Sequence, residues 1–237
     1  MSRLAARVHD LEHLDEPTLD VEQLDRALAQ VADVNRWLGG DRALRRALRP
    51  LLSQPGEQRL LDVGAGNAQV ALALTRWADR HGRRWRVVAL DHHAQTAALA
   101  QRRVADADPA HASVRVIQGD GLRLPFRDRS FDAAFSVLTL HHLRDDAAVA
   151  LVREMARVAR RVVVVNDLER SHPALLGAQL LAATVWRSSP ITRHDGPLSV
   201  RRAFTPAELL AIGERAGLGR ARVRRHPAFR LVLEGRP

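Results

Sequence analysis

Residues 59–68 read Arg59-Leu60-Leu61-Asp62-Val63-Gly64-Ala65-Gly66-Asn67-Ala68. Pro55-Gly56 breaks the chain just upstream, and the apolar residues at 60, 61 and 63 form a short strand over 59–63. The strand runs into glycines and then into a helical pattern over 68–80. In that setting a glycine-rich turn has a mechanism. Glycine lets the backbone turn tightly and approach a ligand that a Cβ would exclude. The helix that follows offers unpaired N–H groups to an anion. A lone Gly-x-Gly is weak evidence, so its surroundings decide.

Downstream, strand and helix patterns alternate. Strands are expected over 85–90, 114–118, 131–137 and 161–166, with helices near 94–105 and 145–158. Residues 162–165 are four consecutive valines, and β-branched runs of this kind suit a parallel sheet buried on both faces. The alternation predicts an α/β fold with a doubly wound, mostly parallel Rossmann-like sheet. Two closing strands at 220–225 and 229–234 bring it to seven strands. Upstream, 18–52 reads as helices. Leu24, Leu28, Val31, Val34 and Leu38 share one helical face. Gly39-Gly40 stops that helix, and Asp41 is expected to cap the next. In the tail, 173–186 reads as a helix and 187–204 as a long loop holding Pro190, Gly196 and Pro197. Thr205-Pro206-Ala207-Glu208 is a helix start with its capping residues in place.

The totals limit the choices. A chain of 237 residues with 46 % hydrophobic and 27 % charged residues has ordinary globular composition. The net charge is +10, and every basic residue is Arg. The arginines are spread along the chain, which reads as a coding bias rather than as a nucleic-acid surface. Aromatic residues make up 4 % and Tyr is absent, poor material for stacking bases. DNA is not an expected partner, and RNA is disfavoured. No window supplies the roughly 18 apolar residues of a membrane span, and the N-terminus lacks a signal-peptide core. A cytoplasmic location is the expectation. The absence of Cys excludes disulfides and thiolate metal sites.

Two acids sharpen the glycine turn. Asp91 ends the second strand, where a carboxylate can accept hydrogen bonds from both hydroxyls of a ribose. Asp120, in Gly119-Asp120-Gly121, ends the third, where a carboxylate can accept from an exocyclic adenine amine. Three successive strand ends thus carry one nucleoside site. Gln69 occupies the position where a dinucleotide fingerprint starting at Gly64 would need its third glycine.

With these motifs the chain resembles the class I S-adenosylmethionine-dependent methyltransferases. It is most similar to the group of ubiquinone, menaquinone and small-molecule tailoring enzymes of secondary metabolism. The resemblance covers roughly residues 57–167. Asp62, Gly64 and Gly66 match the first motif, Asp91 the ribose acid, and 119–126 the stretch after the third strand. Residues 131–136 with Leu140-His141-His142-Leu143 match the fourth strand and its loop. Ala68 departs from the motif, standing where the family has its third glycine.

The resemblance implies S-adenosylmethionine as cofactor. It implies cofactor contacts at Asp62, Gly64, Ala65, Gly66, Asp91, His92, Asp120, Gly121, Ser136 and Val137. Arg36, at the end of the N-terminal helix, is a candidate for the methionine carboxylate, and Trp37 for closing over the site. His141 and His142 are the catalytic candidates. Either neutral imidazole can take an acceptor's proton near pH 7, and the sequence does not choose between them. No metal site is expected, since no acid or histidine cluster has zinc-ligand spacing.

The expected reaction is methyl transfer to an oxygen or carbon nucleophile of a small aromatic, quinone or polyketide-like metabolite. The alternatives are an RNA or protein methyltransferase and a non-catalytic S-adenosylmethionine-binding domain. Residues 1–55 are expected as a helical extension and lid, and 56–237 as the methyltransferase domain. Within it, 170–204 is an insertion that shapes the acceptor pocket; Asn166, Asp167, Glu169, Arg170, Trp186, Arg193, His194 and Asp195 are candidates there. A monomer and a homodimer are both compatible with the sequence.

Overall fold

A computed structural model describes residues 4–16, 19–107 and 113–237. Residue 18, where the first helical stretch was expected to begin, lies outside them. Five parallel strands form the body of one sheet: β1 (Gln58–Val63), β2 (Trp85–Asp91), β3 (Val114–Gln118), β4 (Phe131–Val137) and β5 (Ala159–Leu168). β6 (Gly219–His226) and β7 (Arg230–Arg236) complete it in the order β3-β2-β1-β4-β5-β7-β6. β7 runs antiparallel to both of its neighbours. The order reverses at β1, which pairs with β2 on one side and β4 on the other. That reversal leaves a crevice beyond the carboxyl ends of β1 and β4, where ligands bind in this architecture.

Both faces of the sheet are covered, as the valine run required. One face packs β1, β4 and β5 against α5 (Asp145–Val158) and α8 (Pro206–Arg215), through residues such as Leu61, Val152 and Leu209. The other packs Leu60, Phe135 and Val164 against α3 (Gln69–Asp79) and α2 (Gly40–Leu48). α2 is therefore part of the core, through the fully buried Leu44 and Leu48. α4 (Ala94–Ala105) covers β2 and β3. No helix among the described residues is long and apolar enough to cross a membrane.

α1 (Val21–Trp37) starts on Asp20, whose carboxylate accepts from the N–H groups of Glu22 and Gln23. It ends before Gly39, which takes φ +82°. α2 then begins at Gly40, so Asp41 is not a cap. It lies inside the first turn, where Oδ1 accepts from Asn35 Nδ2 at 3.0 Å.

The expected loop over 187–204 is mostly helix. α6 (His172–Ala183) is followed by α7 (Pro190–Arg202). Ser189 caps α7 and Pro190 sits in its first turn, a start signal that the later Pro197 obscures. Proline inside a helix removes one backbone hydrogen bond. α7 tolerates it because its inner side is buried at Asp195, Leu198, Ser199 and Arg202.

Candidate active site

The turn after β1 is built for close approach. Gly64 takes φ +73°, and a Cβ there would lie 2.3 Å from Thr139 Cγ2. Thr139 Oγ1 donates to the Gly64 carbonyl at 3.1 Å. The chain turns back to reach it through Leu138, a non-glycine residue at φ +54°. Gly66 N–H donates to Asp91 Oδ2 at 2.9 Å, and His93 N–H donates to Oδ1 at 3.0 Å. These two bonds fix the Asp91 carboxylate and use two of its roughly four acceptor positions. Burial pushes its pKa up, against the two backbone N–H groups.

Ala68 caps α3 at φ +60° and is fully buried. Ala68 thus holds a left-handed backbone at the position where the family motif has its third glycine.

These elements open onto a cavity of about 840 Å³. Gly64, Gly66, Asp91, His92, Asp120 and Gly121 line one end of it. Asp120 is exposed there, with Oδ1 accepting from Leu122 N–H at 2.8 Å. The apolar face of α1 that was legible in sequence, Leu24, Leu28, Val31, Val34 and Leu38, forms a wall. Leu181 and Trp186 face the cavity as well.

Several expected contacts lie elsewhere. Arg36 is exposed and pairs with Asp33 at 2.8 Å, away from the cavity. Trp37 is 73 % exposed, because Val34 and Leu38 hold the inner side of the helix. Ser136 is fully buried and its hydroxyl donates to the Val63 carbonyl, tying β4 to β1. Ala65 and Val137 pack into the core rather than line the cavity. Asp62 sits beneath the loop, buried, with no hydrogen-bond partner for Oδ2 among the described residues. Burial, with Asp91 nearby, holds its pKa well above the carboxylate range.

The opposite end is polar. His141 is buried, and its Nδ1 lies 2.6 Å from Asp167 Oδ1. Burial pushes the Asp167 pKa up, but His141 and two backbone N–H groups outweigh it and bring it down. Asp167 is then an acceptor only, so the His141 Nδ1 carries the hydrogen of that bond. Nε2 lies 3.7 Å from Glu12 Oε1. Glu12 is 2 % exposed, and its Oε1 has no hydrogen-bond partner among the described residues.

His142 differs from its neighbour. Its Nδ1 lies 2.9 Å from Asp15 Oδ1, and its Nε2 lies 3.7 Å from Glu12 Oε2. Burial works against its charge, but Glu12 and Asp15 prevail and raise its pKa to about 9. His142 is an imidazolium at neutral pH. That removes His142 as a neutral base.

Glu12 and Asp15 reach the site on an N-terminal strap held by arginines and by α7. Arg202 donates to the carbonyls of Asp10 and His142 and to Asp15 Oδ2. Arg7 donates to the carbonyls of Arg202, His141 and Leu143, and pairs with Asp145. Asp195 accepts from the N–H groups of His13 and Leu14. Among the other candidates near this end, Arg170 binds Glu208 through two 2.7 Å bonds. Glu169 pairs with Arg225, and Asn166 Nδ2 donates to the Gly40 carbonyl. Arg193 is exposed, and His194 stacks on His13.

Sequence reasoning missed Glu12, Asp15, Arg202 and Thr139, none of which belongs to a local motif. It also missed the convergence of Glu12, His141 and His142, whose potential ligand atoms all lie within 4.8 Å of one another. Spacing along the chain could not show this, because Glu12 arrives from the strap. Arg202 Nε stands 3.6 Å from Glu12 Oε1, so a cation already faces that carboxylate.

The residues at the glycine-loop end suit an adenosyl group with an amino-acid tail. Asp91 has acceptor positions left beyond its two backbone donors, Asp120 presents an exposed carboxylate to the cavity, and a Cβ at Gly64 would meet Thr139.

Comparison with known proteins agrees. A family described as a methyltransferase domain matches residues 60–161. The chain is 30 % identical over 166 residues to the demethylmenaquinone methyltransferase of Roseiflexus sp. strain RS-1, covering 68 % of this chain and 65 % of that one. It is 33 % identical over 150 residues to the demethylmenaquinone methyltransferase of Mycobacterium tuberculosis strain H37Rv, covering 62 % and 57 %. The chain therefore spans less than two thirds of the length of these curated relatives. Among solved structures, a SAM-dependent methyltransferase from Aquifex aeolicus superposes with a TM-score of 0.63 at 17 % identity, over 92 % of this chain and 98 % of that one. Human N-acetylserotonin methyltransferase in complex with SAM gives 0.64 at 15 %, over 91 % and 55 %. Those two likenesses establish the fold.

Proposed function

We propose, from the premise that this chain belongs to the class I S-adenosylmethionine-dependent methyltransferases, that it methylates an oxygen or carbon nucleophile of a small apolar metabolite bearing an ionisable hydroxyl. One observation carries the acceptor's chemistry. His141 Nε2 and Glu12 Oε1 lie 3.7 Å apart, and no donor among the described residues is hydrogen-bonded to Oε1. Buried acceptors require a donor, and a hydroxyl entering that gap supplies one. The aliphatic wall from α1 suits a fused or substituted ring, in keeping with the quinone substrate in the relatives' names.

Bound S-adenosylmethionine supplies an electrophilic methyl group on a sulfonium. The chain's own work is positioning and proton handling. Gly64 and Gly66 let the loop lie against the cofactor, and Asp91 holds the ribose. The α1 wall excludes water and aligns the acceptor. His141 Nε2 takes the hydroxyl proton, and Asp167 holds the ring in the required tautomer. The imidazolium of His142 opposes the negative charge that develops on the acceptor oxygen. The proton on His141 then leaves to solvent. The strap over 4–16 and helices α1, α6 and α7 form the enclosure, a lid role for the N-terminal extension.

The test is a transfer assay with methyl-deuterated cofactor and paired acceptors, read by mass spectrometry. Naphthols and naphthohydroquinones are compared with their O-acetylated counterparts. Label is expected in the free hydroxyl compounds alone. Equal labelling of both sets contradicts the proposal.

A further inference from the structure

Three arginines among the described residues are buried. Arg170 binds Glu208 twice, and Arg202 is spent on carbonyls and Asp15. Arg230 is different. It opens β7, is 3 % exposed and lines the cavity, yet its Nε and Nη1 have no hydrogen-bond partner among the described residues. Burial lowers its pKa to about 10, with Asp167 and Asp41 opposing the drop, so it stays charged at neutral pH. Neither carboxylate is hydrogen-bonded to it; both are engaged by other groups. Asp167 accepts from His141 and Leu168, and Asp41 accepts from Asn35 and lies near Arg45.

A buried guanidinium without a partner is costly. Its planar fork matches a carboxylate through two parallel N–H bonds, and a water-poor wall strengthens such a pair. We propose that Arg230 is the carboxylate receptor of this cavity, filling the place that sequence alone gave to Arg36. Two sources share that chemistry: the amino-acid carboxylate of the cofactor, and a carboxylic acid on the acceptor. The first source rests on the methyltransferase reading; the second does not.

Calorimetry on the full chain separates them. One arm compares S-adenosylmethionine with its decarboxylated form. The other compares 1-naphthoate with 1-naphthalenemethanol. Both are run on the wild type and on Arg230→Met, with Arg230→Gln as a second variant should the first fold poorly. The wild type is expected to prefer the carboxylate member of one pair at least tenfold, and the variant to lose that preference. Loss in the first arm identifies the cofactor as the source, and loss in the second identifies the acceptor. Unchanged preferences in both arms overturn the proposal, as does a wild type with no preference in either. If neither cofactor form binds the wild type, the methyltransferase reading fails while the naphthoate arm still decides for Arg230. Thermal melting supplies the independent readout. Ligand-free Arg230→Met should melt no lower than wild type, because an unpaired buried charge has been removed. A large drop in Tm with unchanged preferences would mark a purely structural residue.

Discussion

The two ends of the cavity are made differently. The glycine-loop end is mostly backbone: Gly64 and Gly66 turn, and backbone N–H groups pin Asp91. Its pieces sit at the ends of β1, β2 and β3, each a short local motif. The other end is lined by side chains from the strap, the turn after β4, α7 and β7. Glu12, His141, Arg202 and Arg230 all line the cavity, brought to it from distant parts of the chain. The first end specifies a ligand through shape that few sequences can make. The second carries polar atoms without a hydrogen-bond partner among the described residues, Glu12 Oε1 and two nitrogens of Arg230.

That difference can be broken by mutation. The largest effect is expected at the backbone end. Gly64→Ala places a Cβ 2.3 Å from Thr139 Cγ2 at a positive φ, and the strain and overpacking together should cost about 3 kcal/mol or more. Urea denaturation measures it; a loss near zero would show that the cradle yields. At the other end, Asp167→Asn should lower kcat by about 10²–10⁴-fold by disturbing the His141 tautomer. Cofactor affinity, measured by calorimetry, should stay within about twofold. A smaller effect follows from His142. Its folded pKa of about 9 exceeds the ordinary 6.5, so its stabilisation is complete below pH 6.5 and is lost as pH rises through 9. The Tm difference between wild type and His142→Asn should shrink over that window, and a difference that grows with pH has the wrong sign. The smallest effect is expected at Arg36, outside both ends. Arg36→Ala should change stability by less than about 0.5 kcal/mol and leave cofactor binding unchanged.

The same contrast explains what the sequence revealed. The sheet was legible because its valine runs and alternating helices repeat a simple period. Asp91 and Asp120 were legible because a strand end fixes where a side chain points. The face of α1 was legible as a stripe, although its object, a cavity wall, was not. Helix α7 was hidden by Pro197 and Gly196, which read as loop residues when burial is unknown. Arg36 was misplaced because a helical pattern gives a face without saying which residues of the last turn lie on it. Glu12 and Arg230 carry no motif at all. A buried polar atom without a hydrogen-bond partner, such as Glu12 Oε1 or Arg230 Nε, is a property of the fold, and only the fold displays it.

The central claim is that the loop at Gly64 and Gly66, with Asp91, holds S-adenosylmethionine. Calorimetric titration with S-adenosylhomocysteine tests it most directly, on wild type and on Asp91→Ala. Saturable binding by the wild type is expected, weakened about 10–100-fold in the variant by loss of a charge-assisted hydrogen bond. No binding by the wild type at millimolar ligand, or equal affinity in the two proteins, would contradict it.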